Sequence, residues 1–247
     1  MDTVNRDTKH LEFVAMSQSR SELAFSFARF ADKFEEHIRK SIRGYAELLA
    51  DCVAMSEYFV ENDTTVFDIG TSTGSFLFHV WDKNRSRVPQ AKYVGVDVEP
   101  NFGLYWEKFK ADNVSFHVAD VRSFPIPERC SFVTSIFSLQ FISERERQQI
   151  INRIYRALVP GGALIVAEKT LWKCSKLQEM MTFIHYDYKR QSFTEEEILE
   201  KERSLRSTMK LWPEEQIVQS LIAAGFQATR VESLWRNHSF AAFLALR

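Results

Sequence analysis

The residues able to do chemistry in this chain begin with one turn and two carboxylates that follow it. Val66–Gly74 reads VFDIGTSTG, an apolar run of strand character that closes on a turn bracketed by Gly70 and Gly74 and continues as an amphipathic segment. A strand, a glycine turn and a helix start point several backbone N–H groups in one direction. Glycine's missing Cβ lets a ligand approach that main chain closely. Asp97 stands 23 residues beyond Gly74, at the end of the next apolar run, near the offset at which a second-strand carboxylate meets a ribose diol. Such a carboxylate accepts from both hydroxyls and repels a 2′-phosphate, so an unphosphorylated adenosine is expected. Asp120 closes a third run, where an acceptor can take the adenine exocyclic amine. Counted from Gly70, a dinucleotide fingerprint calls for glycines at 72 and 75, and both are serine. Asp68 is the third carboxylate set beside apolar strands, a setting that calls for a partner or a ligand.

The elements that must position these residues follow from periodicity. Apolar residues at helical spacing predict two helices before the first strand, over 21–42 and 45–60, with Gly44 between them and residues 1–20 loosely ordered. Short apolar runs then alternate with amphipathic segments. Strands are predicted at 65–69, 93–98, 114–120, 132–142 and 163–168, with helices from Ser75 and over 102–111 between them. Ser143, three residues before Glu146, predicts a capping box opening a helix over 144–158, which Pro160-Gly161-Gly162 ends. Helices are expected near 175–190 and 194–207, and again over 213–224 with Pro213 in its first turn. Two last strands, near 226–234 and 238–246, are close enough to pair antiparallel. The expectation is a single α/β domain over 1–247. It has a seven-stranded, mostly parallel, doubly wound sheet with a C-terminal antiparallel hairpin, and the helices of 21–60 and 175–210 cover the crevice.

Composition excludes several classes of function. A formal net charge of −1 over 247 residues, with no Arg/Lys-rich face visible, gives no field for nucleic acid or an anionic membrane. The three cysteines, Cys52, Cys130 and Cys174, show neither metal-ligand spacing nor a disulfide framework, so no metal is expected. No run approaches the roughly 18 apolar residues of a membrane span. Together with the polar N-terminus these features point to a cytoplasmic protein acting on a small molecule. Phe is overused, at 21 residues, and aromatics beyond the needs of a core suit a flat or cationic ligand.

The strand pattern with its terminal hairpin resembles the Rossmann-like class I S-adenosylmethionine (SAM)-dependent methyltransferase fold. From about residue 30 onward the chain resembles, more narrowly, the carboxy-SAM synthase family. The matching pieces are SIRGYAELL (41–49), DIGTSTG (68–74), IFSLQFI (136–142), LVPGGALIVAEK (158–169), FIHYDYKR (183–190), EEEI (195–198) and AAGF (223–226). IHYDYKR is the most restrictive, since ordinary methyltransferases do not share it. That family moves a prephenate-derived carboxyl group onto the methyl group of SAM. The resemblance implies SAM as cofactor or substrate, a homodimer, and a ligand contact from Tyr45. It also implies a glycine loop of Gly70, Thr71 and Ser72, a ribose pair of Asp97 and Val98, and an adenine pair of Asp120 and Val121. Tyr45 follows Gly44 between the two N-terminal helices, so its ring can reach the ligand mouth and face a sulfonium.

Two positions depart from the family. Where it has an asparagine before the LQF segment, this chain has Ile136. Where its arginine holds the added carboxylate, the sequence Lys201-Glu202-Arg203-Ser204-Leu205-Arg206 supplies Glu202. Arg206 lies four residues on, hence on the same helical face, and Arg203 one residue on, about 100° away. Either is a candidate replacement, and a Glu202–Arg206 ion pair is the alternative. Four functions follow. One is carboxyl transfer to SAM through Arg206 or Arg203. A second is closure of the methionyl arm of SAM on itself, giving azetidine-2-carboxylate and methylthioadenosine. A third is methyl transfer to a small acceptor, with His185 or Tyr186 as base in a pocket shaped also by Asp187, Tyr188 and Arg190. The fourth is a SAM-binding scaffold without chemistry.

Overall fold

The computed structural model describes residues 34–247. The reading of residues 1–20, and the part of the first predicted helix that precedes Phe34, lie outside them. The described chain opens with helices α1 (Phe34–Ser41) and α2 (Tyr45–Ser56). Gly44 separates them in the left-handed conformation, φ 78°. Strand β1 (Thr65–Ile69) is buried along its whole length, as a central strand of a parallel sheet must be. Its alternate side chains enter different cores. Val66 packs with Leu48, Leu77 and Val80 under α2 and α3 (Ser75–Asn84). Phe67 and Ile69 pack with Ile150 and Ile154 of α4 (Glu144–Ala157) and with Ile217 and Leu221 of α7 (Glu214–Ala224). The period-2 alternation of strand side chains therefore builds the two faces of a three-layer sandwich.

Strands β2 (Lys92–Asp97), β3 (Val114–Val118), β4 (Cys130–Ile136) and β5 (Leu158–Leu171) join β1 in parallel. The hairpin β7 (Val231–Asn237) and β8 (Phe240–Leu246) adds antiparallel strands beside β5, giving the order β3-β2-β1-β4-β5-β8-β7. The order reverses between β1 and β4, and the loops at their carboxyl ends open the crevice expected of such sheets.

Several expectations are corrected in detail. The sheet has eight strands, because β6 (Trp212–Pro213) pairs with the far end of β5. Pro213 therefore caps α7 from an extended position instead of starting it. β5 begins at Leu158, and Pro160-Gly161-Gly162 is an irregularity within the strand, where Cys130 and Phe132 of β4 face Leu158 and Ala163. The predicted helix over 102–111 is a chain of short helical turns across 100–109. β4 stops at Ile136, and the residues after it form a turn over Leu139–Phe141. At the head of α4 the Ser143 hydroxyl donates to the Glu146 carboxylate at 2.6 Å and neither side chain caps the other's backbone, so the predicted box does not form. A complete capping box instead starts α6 (Glu195–Arg206), where Thr194 and Glu197 satisfy each other's backbone. α5 (Ser175–Lys189) precedes it. Among the described residues no helix is long and apolar enough to cross a membrane, and no group of three or more His, Cys, Asp or Glu side chains is placed to hold a metal.

Candidate active site

The glycine turn is pinned from three directions. Gly70 has φ 74°, and a Cβ there would lie 1.9 Å from Ser138 Oγ, so the close approach of the β1 and β4 loops requires glycine. Ser72 is also left-handed, φ 45°, although it carries a side chain. Its N–H donates to Asp97 Oδ2 at 2.9 Å and its carbonyl accepts from Trp106 Nε1 at 2.8 Å, contacts that hold an otherwise disfavoured backbone. Thr73 Oγ1 donates to Glu35 of α1 at 2.7 Å. Gly74 has φ 81° and begins α3, and a Cβ on it would press into Phe116 and Trp106. It shapes the turn from outside the cavity lining.

Behind this turn lies a cavity of about 410 Å³. One end of it is built from residues that the sequence singles out: Gly70, Thr71, Ser72, Asp97, Val98, Asp120 and Val121 all line it. The Asp97 carboxylate accepts the Ser72 and Glu99 N–H groups at 2.9 Å each and keeps lone pairs for a diol. Burial raises its pKa, and the two backbone donors oppose that. Asp120 has a partner that the sequence reading did not give it, Arg122, whose Nε donates to Oδ2 at 2.8 Å and whose guanidinium holds the carboxyl below its ordinary range. Val98 is 69% exposed and marks the mouth. Asp68 is 3% exposed and accepts the Thr134 hydroxyl at 2.7 Å, and burial lifts its pKa to about 6. Tyr45 lines the cavity opposite, its ring 6.1 Å from that of Phe137. Ile136 lines it too, and Phe137 after it is left-handed, φ 58°. Ser72 and Phe137, two of the five left-handed non-glycine residues among the described residues, thus border the cavity.

The other end of the cavity carries charge. Lys169 is half-buried near the end of β5, and Gln140 fixes it, accepting its backbone N–H at 2.8 Å while donating to the Phe137 carbonyl at 3.2 Å. The Lys169 ammonium reaches both carboxylate oxygens of Glu202 at 3.3 Å. His185 and Lys189 of α5 and Lys201 of α6 complete this wall with His37 of α1. Lys201 contacts His37 Nε2. Burial and then its lysine neighbours lower both groups, His37 to about 4 and Lys201 to about 7. Burial takes His185 down to about 3, so its imidazole is neutral. Lys169, Lys189 and Lys201 are not among the sequence-predicted site residues, and the one local sign of this wall is that His185 and Lys189 share a helical face at i, i+4.

The remaining candidates are placed elsewhere. Tyr186 stacks edge-on with Phe183 at 6.3 Å and is absent from the lining. Arg203 and Arg206 are exposed and absent from it as well. Glu202 pairs with Lys169, and no Glu202–Arg206 ion pair is found among the described residues. Of the residues near His185, Arg190 pairs with Asp187 and Glu195 at the helix end instead of entering the cavity.

A methyltransferase-domain family profile matches residues 66–162, the stretch from β1 to the start of β5. A carboxy-S-adenosyl-L-methionine synthase of Staphylococcus epidermidis is 30% identical over 236 residues, covering 94% of this chain and 100% of its own length. The chain belongs to the carboxy-SAM synthase family. A family member from Erwinia tasmaniensis is 32% identical over 225 residues, covering 89% of each chain. Two solved structures share the fold alone. One is a methyltransferase in complex with the Haloferax volcanii Trm112 activator (TM-score 0.62, 15% identity, 90% of this chain and 97% of that one). The other is human N-acetylserotonin methyltransferase in complex with SAM (TM-score 0.56, 18% identity, 95% and 58%). The carboxy-SAM synthase family sits within the class I SAM-dependent methyltransferase superfamily, and this member is a SAM-dependent, transferase-like enzyme of that fold.

Proposed function

We propose that the enzyme binds SAM across this cavity and consumes it as a substrate, closing the methionyl arm on itself to give azetidine-2-carboxylate and methylthioadenosine. The observation that carries this reading is the Glu202–Lys169 pair. It occupies the cavity wall where the family resemblance expects an arginine to hold an added carboxylate. Arg203 and Arg206, the candidate replacements, stand outside the lining. A carboxylate at 202 repels an added carboxylate and attracts an ammonium.

Asp97 holds the ribose and the Asp120–Val121 turn the adenine, while the glycine turn, whose Gly70 and Thr71 N–H groups are given to the Val96 carbonyl, lets the ligand approach the main chain. The Tyr45 ring and the apolar side chains of Ile136 and Phe137 offer a dry wall to the sulfonium, whose attraction to a desolvated π face is on the order of 1 kcal/mol or more. Ring closure needs the arm folded and its amine unprotonated. Lys201, next to His37, accepts the ammonium proton. The amine lone pair then forms the N–Cγ bond while the Cγ–S bond breaks and its electron pair stays on sulfur, leaving a neutral thioether.

A second reading, carboxyl transfer to SAM, is favoured by the surplus of lysines on the same wall. Mass spectrometry after incubation with SAM alone, and with SAM plus prephenate, separates the two. Methylthioadenosine and azetidine-2-carboxylate from SAM alone support ring closure, and prephenate-dependent carboxy-SAM supports the second. Release of neither refutes the proposal that SAM itself is remodelled and leaves methyl transfer to a small acceptor.

A further inference from the structure

Lys189 is 4% exposed and lines the cavity, yet its ammonium has no ion pair and no hydrogen-bond acceptor among the described residues. Lys169, its neighbour on the wall, is occupied by Glu202. His185, one helical turn before Lys189 and 5% exposed, leaves its Nδ1 without a partner, and both residues line the cavity. A buried cation without a counter-charge is strongly destabilising, and a native fold keeps one where a ligand completes it. Burial and the nearby Lys169 charge lower the Lys189 pKa, with Glu202 acting in the opposite sense from beyond ion-pair distance.

Position and charge narrow what that ligand group is. The sheet order sets β2, with Asp97, three strands from β5, with Lys169, or roughly 14 Å at the usual strand spacing of about 4.8 Å. A ligand whose ribose rests on Asp97 therefore presents its far end, or a second molecule, to Lys189. Glu202 offsets Lys169, and burial beside Lys189 brings Lys201, in contact with His37, down to about 7 and so part-way to its neutral form, which leaves between one and two uncompensated positive charges on the wall. That accommodates a monoanion such as a carboxylate.

We propose that Lys189, with His185 beside it, is the carboxylate anchor of this cavity and binds a carboxylate at the end remote from adenosine. That group belongs either to SAM's own methionyl arm or to a separate small carboxylic acid bound with it. The inference rests on the reading that SAM occupies the cavity.

Calorimetric titration of wild type, Lys189→Met and Lys189→Arg with SAM, with decarboxylated SAM, and with prephenate on the SAM-loaded enzyme tests it. If the carboxylate is SAM's, Lys189→Met weakens SAM by tenfold or more, on the scale of truncating a buried charge partner, and leaves decarboxylated SAM unchanged. If it belongs to a separate acid, SAM binding is unchanged and prephenate binding is lost. Lys189→Arg retains the charge and stays close to wild type in either case. The ligand-free Lys189→Met protein is at least as thermally stable as wild type, because an unpaired buried charge has been removed; a merely structural lysine would give the opposite. Unchanged binding of both SAM and prephenate by Lys189→Met overturns the anchor while leaving the SAM reading intact. Failure of the wild type to bind SAM overturns both.

Discussion

Replacing Asp97 with Asn changes one atom at the centre of the adenosine end and tests the whole placement of the ligand. In the wild type each carboxylate oxygen already accepts a backbone N–H at 2.9 Å, and each retains capacity for a ribose hydroxyl. Asn keeps a single acceptor oxygen and sets an NH₂ group against one of those N–H donors, so it loses one ribose bond and weakens the grip on Ser72. Hydrogen bonds to a charged acceptor contribute about 1.5–3 kcal/mol each, and the disturbed turn adds to that, so the loss in SAM binding is about 2–4 kcal/mol. At about 1.4 kcal/mol per decade this is roughly a 30- to 1000-fold rise in Kd. Calorimetry reads it directly, and thermal unfolding reads it independently. SAM at 100 times its Kd stabilises the wild type by about 2.7 kcal/mol, about 5–11 °C in Tm for a chain of this size, and the same SAM concentration gives Asp97→Asn little shift. If Asp97→Asn binds SAM within about threefold of wild type, the scatter of an unrelated surface change, adenosine is not held at the end of β2.

Gly70→Ala forces a Cβ to within 1.9 Å of Ser138 Oγ at φ 74°, and its Tm falls by roughly 5–15 °C; adding Ser138→Gly restores part of that loss, which unfolding scans of both variants check. Glu168 is buried, and burial lifts its pKa to about 8 against the opposing pull of Arg147 and of the Gln140 and Leu139 backbone N–H groups. Because the folded pKa lies above the unfolded one, the folded state binds the extra proton. Stability therefore falls as pH rises from about 4.5 to about 8 and is level above that, and Glu168→Gln flattens this slope in chemical denaturation. Lys201, held near 7 by burial, must lose its proton to act as base. Turnover of SAM therefore rises with pH through about 7, and Lys201→Met abolishes that limb of the rate profile. Arg203→Ala and Arg206→Ala leave SAM turnover within about twofold of wild type, as expected of exposed side chains off the cavity.

The parallel strands were legible because a strand buried on both faces reads as a short apolar run, unbroken in ALIVA at 163–167 and nearly so in TVFDI at 65–69. β6 was not, since two residues carry no period and Trp212-Pro213 is paired only by the far end of β5. The Pro160-Gly161-Gly162 signal was read as a stop, whereas the chain enters the sheet at Leu158 and absorbs these residues as a bulge. At the site, the carboxylates at strand ends announced themselves through spacing. Their partners did not: Thr134 for Asp68 and Arg122 for Asp120 depend on register and rotamer. The charged wall was hidden for a similar reason. Lys169, Lys189, Lys201 and His37 come from four different elements, and only packing brings them together.

The two ends of the cavity differ in their access to solvent. Val98 at the adenosine end is widely exposed, while His185 and Lys189 at the other are almost wholly covered. SAM entering such a site goes in methionine end first, and its adenosine then stops the entrance. Under the proposed ring closure, the larger fragment must leave before the smaller one can follow. Release is therefore ordered, with methylthioadenosine first. Azetidine-2-carboxylate, the last to depart, will compete with SAM for the free enzyme, whereas methylthioadenosine will show mixed inhibition against SAM.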